Sequence, residues 1–186
     1  MDVFDTKLSG VKKIQPVKHA DERGAFMEAY QKERYREAGI DCAFVQENFV
    51  TNKKPGTVRG LHFQKPPAAQ AKLITVVHGA ILDVVVDIRH GSPTFAQAET
   101  FHLTAEQGMQ VYLPAGFAHG YCTLEANTGV LYQVSAFYAP EAEAGIVWND
   151  PDIAIDWPFD ERAAVMTERD KSYPRLAELE KIFSYE

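Results

Sequence analysis

Two cysteines in 186 residues, Cys42 and Cys122, are too few and too far apart for a disulfide scaffold. They also match none of the close spacings that bind zinc or run redox chemistry, so both are expected as reduced, half-buried thiols. No uninterrupted apolar run approaches the ~20 residues of a membrane helix, which argues against a membrane partner. The start, MDVFDTKLSG, lacks the basic-then-apolar layout of a secretory signal, and a cytoplasmic location is expected. Positive charge is scarce as well. Lys plus Arg number 19 against 26 Asp plus Glu, a net charge of −7, and a sequence-independent grip on nucleic acid needs the opposite balance. An anionic small molecule would need a local cluster of cations set against that field. Repeats, low-complexity tracts and Pro/Gly/Ser-rich linkers are missing too, so one domain over residues 1–186 is expected.

What is there is a moderately apolar chain, 46% hydrophobic and 24% charged, long enough to bury roughly 70% of the surface its unfolded form exposes. From residue 40 to 140 it reads as short strands separated by turn chemistry such as KKPG, HGSP, AEQG and EANTG. The clearest is Leu82–Arg89, where Leu82, Val84, Val86 and Ile88 alternate with Asp83, Val85, Asp87 and Arg89, a pattern that predicts one face in a core. Further strands are expected over 44–50, 57–64, 72–77, 100–103, 109–113 and 130–137. A helix over 31–38 would stop at Gly39. A second helix, capped by Ser172, would gather Leu176, Leu179, Ile182 and Phe183 on one face. Many short strands with helices only at the periphery predict a mainly β protein of the jelly-roll type.

Residues 108–120, GMQVYLPAGFAHG, resemble the second signature of the cupin jelly roll (the double-stranded β-helix). A strand there ends in a Pro-Gly turn that aims His119 into the barrel. In the first half a metal-binding cupin would offer two histidines one residue apart and then a glutamate. This chain reads RGLHFQKPPAAQAKL, with His62, then Gln64, and no glutamate following. Two imidazoles are thin for zinc, iron or manganese, so neither a metal nor another cofactor is expected.

HADERGAFMEAY (19–30), FVQEN (44–48), GTVRGLHFQKPPAAQAKL (56–73), VVVDIRHGSPT (84–94), LPAGFAHGY (113–121), VLYQVSAFYAPEAEAGIVWNDPDIAIDWP (130–158) and TERDKSYPRL (167–176) occur in that order. Together they resemble the dTDP-4-dehydrorhamnose 3,5-epimerase family, cupins that epimerise nucleotide-linked 4-keto-6-deoxy sugars without metal. The resemblance spans roughly residues 10–180. It implies His62 as catalytic base, Asp170 as its dyad partner, Tyr132 as the acid on the opposite face of the sugar, and Lys72 beside the 4-keto oxygen. It implies Arg23, Glu28, Gln46, Asn48, Arg59, His119, Glu143 and Arg169 as holders of the nucleotide diphosphate or sugar, and Phe26 and Tyr138 as aromatics near the base. It implies a dTDP-sugar as the substrate and a homodimer in which the 23–28 segment serves the neighbouring subunit's site. Where the family usually has a small polar residue after the asparagine at 48, this chain has Phe49, Val50 and Thr51, which would add bulk near the sugar. Glu47 and Arg169 replace a common aspartate and lysine.

These residue types suit the chemistry. A proton beside a ketone becomes removable when the enolate oxygen is stabilised and a base lies within hydrogen-bond reach. Imidazole is mostly neutral at pH 7 yet able to hold a proton. An aspartate would fix its tautomer, a lysine would stabilise the enolate, and arginine forks would match a diphosphate. Inversion then requires a second donor opposite the base. The expected reaction is epimerisation at carbons 3 and 5 of dTDP-4-keto-6-deoxy-D-glucose to dTDP-4-keto-L-rhamnose. The alternatives are inversion of one carbon of a related nucleotide sugar, a metal-dependent cupin, and a non-catalytic sugar-binding cupin. His19, His78, His90 and His102 read as packed or surface histidines.

Overall fold

In the computed structural model, which describes residues 1–185, the alternating segments pair into two antiparallel sheets. The six-stranded sheet runs, in spatial order, Asp2–Asp5, Lys12–Gln15, Gln110–Leu113, Lys72–His78, Thr128–Val134 and Gln46–Asn52. The five-stranded sheet runs Ala98–Thr104, Ala80–Asp87, Phe117–Thr123, Val58–Gln64 and Glu143–Gly145. Most neighbours in space are remote in sequence, as a jelly roll requires. One buried core joins the sheets, with Ile74, Val76, Val111 and Val130 from the first and Ile81, Val85, Leu103 and Phe117 from the second. The expected cupin-type jelly roll with short peripheral helices is what forms. Among the described residues no helix is long and apolar enough to cross a membrane. Cys42 and Cys122 are both free thiols, the first half-buried and the second fully buried.

Two expectations meet corrections. The first helix spans Lys32–Glu37, with the Gln31 side chain accepting from the Arg34 amide at 2.7 Å and Gly39 closing it at φ +81°. It lays Tyr35 on the outer face of the six-stranded sheet, with Leu73 and Tyr112. The second helix, however, comes earlier and shorter. It covers Glu168–Lys171, is capped by Thr167, and ends at Ser172, because Pro174 follows at once and cannot continue it. Leu176, Leu179, Ile182 and Phe183 still share one destination, the outer face of the five-stranded sheet, but reach it through a 3₁₀ turn at Leu176–Glu178 and a strand at Phe183–Ser184. The alternating strand, which spans Ala80–Asp87, buries both faces rather than one. Val84 and Val86 pack under the C-terminal segment. Ile81 and Val85 face the barrel interior, and Asp83 and Asp87 are themselves fully buried. Period two identified the strand but not its inner face, since the Ile81/Val85 side, with Asp83, turns into the barrel while the Val84/Val86 side is covered by the C-terminal segment.

Candidate active site

The site lies at one end of the barrel, where polar side chains replace the apolar filling. Strand register stacks it in rows. On the six-stranded sheet Gln46, Val134 and Lys72 are cross-strand neighbours, with Asn48, Tyr132 and Ile74 in the next row and Val50, Val130 and Val76 below. The polar ends of these rows line a cleft of about 340 Å³ together with Arg59, His62, Tyr138, Glu143 and Arg169.

On the opposite sheet Arg59 and His62 are three residues apart, so a regular strand would send them to opposite faces. The ladder slips instead. His119 pairs with His62, but Tyr121 pairs with Arg59, leaving an extra residue in the Val58–Gln64 strand. Such a bulge turns both side chains to the same face. Gly60 sits in it at φ +119°, and a Cβ there would meet the Gly120 Cα at 2.5 Å, so only glycine permits the two backbones to approach this closely.

His62 Nε2 lies 2.8 Å from Asp170 Oδ1. Asp170 is buried, and its backbone N–H is capped by the Thr167 hydroxyl at 3.2 Å. Burial works to raise the Asp170 carboxyl, but the hydrogen bond and charge of His62, with help from Arg169 and Thr167, hold it below the usual carboxylate range. A carboxylate accepting at Nε2 puts the ring proton there and leaves Nδ1 as the basic atom. The Tyr173 ring stands edge-on to the imidazole at 5.6 Å between centroids.

Lys72 is only 8% exposed, and its Nζ makes one long contact, 3.4 Å to the His62 carbonyl. Burial pushes its ammonium down to about 8, against the pull of Asp83 and Glu143. Tyr132 reaches the cleft from the sheet opposite His62, and burial raises its phenol while Arg59 works to lower it. At the mouth Glu143 Oε2 accepts from the Tyr138 hydroxyl at 2.6 Å and from Arg169 at 2.9 Å. Gln46 accepts from the Tyr138 amide at 3.0 Å and donates to Asn48 at 2.9 Å. Arg59 is held by the Asn52 side chain at 2.9 Å. The cleft therefore gathers three cations, Arg59, Lys72 and Arg169, against one carboxylate, Glu143, which is the local cluster that an acidic chain needs to hold an anion. His119 lies deeper. It is buried, with Nε2 at 2.7 Å from Asp83 Oδ1, and borders a chamber of about 70 Å³ shared with Arg59, His62, Lys72, Tyr121 and Tyr132.

Three expected site residues are not brought to this cleft by their own chain. Arg23 and Phe26 sit on the exposed hairpin Lys18–Asp21/Gly24–Met27, where Arg23 pairs with Asp21 and Phe26, 70% exposed, stacks on His19. Glu28 follows the hairpin and pairs with Arg34 at 2.9 Å. Phe26 thus does not line the cleft within one chain. Phe49 is a further correction. It lies on the outer face of the Gln46–Asn52 strand, 60% exposed, since side chains alternate and Asn48 points inward. Neither Phe49 nor Val50 lines the cleft, so neither adds bulk at the sugar.

Sequence reasoning missed several supports. Gln64, noted for standing at a metal-ligand position, donates to the carbonyls of Ala68 and Phe137 and accepts from the Ala139 amide. Gln70 donates to the Ala136 carbonyl at 2.8 Å. These two amides pin the loop that presents Tyr138. Tyr173, Asn52 and Asp83 carried no local signal beyond their residue type. Among the described residues no group of three or more His, Cys, Asp or Glu side chains is gathered in a way that would hold a metal.

What barrel and cleft define together is a class, the cupin-type jelly rolls. Within it, the chain belongs to the dTDP-4-dehydrorhamnose 3,5-epimerase family, an isomerase family whose model matches residues 5–178. The dTDP-4-dehydrorhamnose 3,5-epimerase of Sinorhizobium fredii is 44% identical over 178 residues, 96% of this chain and 91% of its own. The crystal structure of a dTDP-6-deoxy-D-glucose-3,5-epimerase from Legionella pneumophila, in complex with dTDP-4-keto-L-rhamnose, is similar at a TM-score of 0.94 and 39% identity, covering 100% of this chain and 98% of that one. A double mutant of a 3'-monoepimerase from Streptomyces bikiniensis, in complex with dTDP, is similar at a TM-score of 0.90 and 34% identity, covering 97% and 92%.

Proposed function

We propose that this protein epimerises carbons 3 and 5 of dTDP-4-keto-6-deoxy-D-glucose through enolate intermediates, giving dTDP-4-keto-L-rhamnose. The observation that carries the reading is the opposition of His62 and Tyr132, which enter one cleft from opposite sheets. His62, oriented by Asp170, removes the proton next to the ketone, and the imidazolium is stabilised by the carboxylate behind it. The buried Lys72 ammonium stabilises the developing enolate oxygen, where low local dielectric strengthens its effect. Tyr132 returns a proton to the other face, and its raised phenol stays protonated at neutral pH. Arg59 and Arg169 hold the diphosphate, His119 and Asn48 the sugar, and Tyr138 offers a ring at the mouth for the base.

Arg23, Phe26 and Glu28 belong to the same reading only if a second copy supplies them. The exposed hairpin that carries Arg23 and Phe26, which does not line its own chain's cleft, supports a homodimer with shared sites. Two free thiols and a nucleotide-sugar substrate agree with work in the reducing cytoplasm.

The test is proton NMR of the protein with dTDP-4-keto-6-deoxyglucose in deuterated buffer. Deuterium at carbons 3 and 5 with formation of the L-lyxo sugar is the expected result. Label at one carbon alone would make it a mono-epimerase, and no label would remove this substrate.

A further inference from the structure

The buried pair Asp83–His119 is left over once the roles above are assigned. Asp83 is fully buried on the Ala80–Asp87 strand. One carboxylate oxygen accepts from His119 Nε2 at 2.7 Å, while Oδ2 has no hydrogen-bond partner. An unpartnered oxygen in a barrel interior is costly and calls for a compensating charge nearby. Lys72 has the complementary problem, an ammonium out of water whose protein contact is a single carbonyl at 3.4 Å. The groups facing Lys72 are Arg59 and His62 from one strand, His119 and Tyr121 from the next, Tyr132 beside it, Glu143 and Arg169 at the mouth, and Asp83 behind His119 and Tyr121. Of these only Glu143 and Asp83 can carry negative charge near neutral pH. Glu143 is already engaged by Tyr138 and Arg169.

We infer that Asp83 is a positioning residue of the reaction, which from the barrel floor orients His119 and supplies the negative charge that keeps Lys72 an ammonium. The arrangement suits an electrophile. A carboxylate in direct contact would occupy the Lys72 donors, whereas one tied to His119 keeps the charge in place and leaves N–H groups free for the ketone oxygen. Asp83 is also the foremost group opposing the effect of burial on Lys72, ahead of Glu143. This role in turnover rests on the epimerase reading, but the charge coupling does not.

The experiment uses protein labelled with ¹³C at the lysine ε-carbon, in which the Lys72 resonance, assigned by its loss in Lys72→Arg, is titrated from pH 6 to 11. In Asp83→Asn the Lys72 midpoint should fall by a unit or more, and turnover at pH 8 should drop about tenfold relative to that at pH 6. Asp83→Glu, which keeps the charge, should restore most of the midpoint. An unmoved midpoint with uniformly lower turnover would make Asp83 a packing residue and overturn the inference. If Asp83→Asn does not fold, Asp83→Ser is read in the same way, and failure of both to fold would likewise make the role structural. A wild type inactive on this substrate would sink the functional reading while leaving the titration informative.

Discussion

His62 and Lys72 illustrate how differently two residues of one site are prepared. His62 is given a partner, Asp170, and in the proposed reaction its reactivity would follow from orientation. Lys72 is given burial, and its reactivity follows from desolvation. His62→Ala should lower turnover by about a thousandfold, as expected for loss of a general base, while dTDP affinity by calorimetry stays nearly unchanged; retained turnover would remove His62 as the base. Tyr132→Phe should slow net inversion far more than the first wash-in of deuterium, and an equal loss of both would mean that its role is not return of the proton. The pH dependence follows from Lys72. An ammonium lowered to about 8 is charged below that pH and neutral above it, so wild-type turnover should fall as pH rises through about 8. Tyr132, raised by burial, cannot cause that fall. In Lys72→Arg, whose cation does not titrate in this range, the weaker residual turnover should lose the decline near pH 8. Asp170 sets a limit of the opposite sign. Its carboxyl is held below its ordinary value, so its contribution to stability is full above the ordinary aspartate range and is lost as pH falls through the lowered value. Asp170→Asn should therefore cost about 1–3 kcal/mol at pH 7, typical of a hydrogen bond to a charged group. The gap in melting temperature from wild type should close on acidification.

Among the secondary-structure elements, the Val58–Gln64 strand matters most, because its bulge places Arg59 and His62 on one face. Gly60→Ala puts a Cβ at 2.5 Å from the Gly120 Cα and 2.7 Å from the His119 carbonyl, both backbone and unable to yield like a side chain. A loss of about 3 kcal/mol or more in urea denaturation is expected, the upper range for overpacking in a closed site. A loss under about 1 kcal/mol would mean that the two strands are not held this tightly in solution. The covering C-terminal segment is the second element with a functional duty. It seals the outer face of the five-stranded sheet, and its short helix lowers Asp170 onto His62.

For the molecule as a whole, the proposed dimer is tested through Arg23. If the hairpin serves a neighbouring copy, two inactive variants should complement each other. Mixing Arg23→Ala with His62→Ala and allowing subunits to exchange would make half of the dimers mixed, each with one intact site. About a quarter of wild-type turnover should then appear, by simple mass action among equal subunits. No recovery after demonstrated exchange would place the hairpin's action within its own chain. The net charge of −7 has a local exception here as well, since Arg59, Lys72 and Arg169 line one cleft against the single carboxylate of Glu143.

Read alone, the sequence yielded seven strands of the barrel, the Pro-Gly turn before His119, the helix stop at Gly39 and the family motifs, because alternation, turn chemistry and caps are local and leave their mark in neighbouring residues; it missed Phe117–Thr123, the strand between Ala80–Asp87 and Val58–Gln64. The family resemblance also named His62, Lys72, Tyr132, Tyr138, Glu143 and Arg169, all of which meet in one cleft. Where the remaining groups stand was decided by tertiary structure, although the same resemblance had named Asp170 and Arg59. Asp170 reaches His62 across 108 residues of chain, an approach that no local pattern encodes. Arg59 shares a face with His62 through a register slip, against the period-two expectation. Asp83 looked like the solvent side of an alternating strand and became the buried charge of the barrel floor. Phe49 looked like an obstruction and faces outward. The physical reason is common to Asp170, Arg59 and Asp83, while Phe49 follows the alternation of its own strand. Hydrophobic periodicity reports which faces a strand presents, whereas what covers each face depends on long-range pairing, and that is set only when the sheets close on each other.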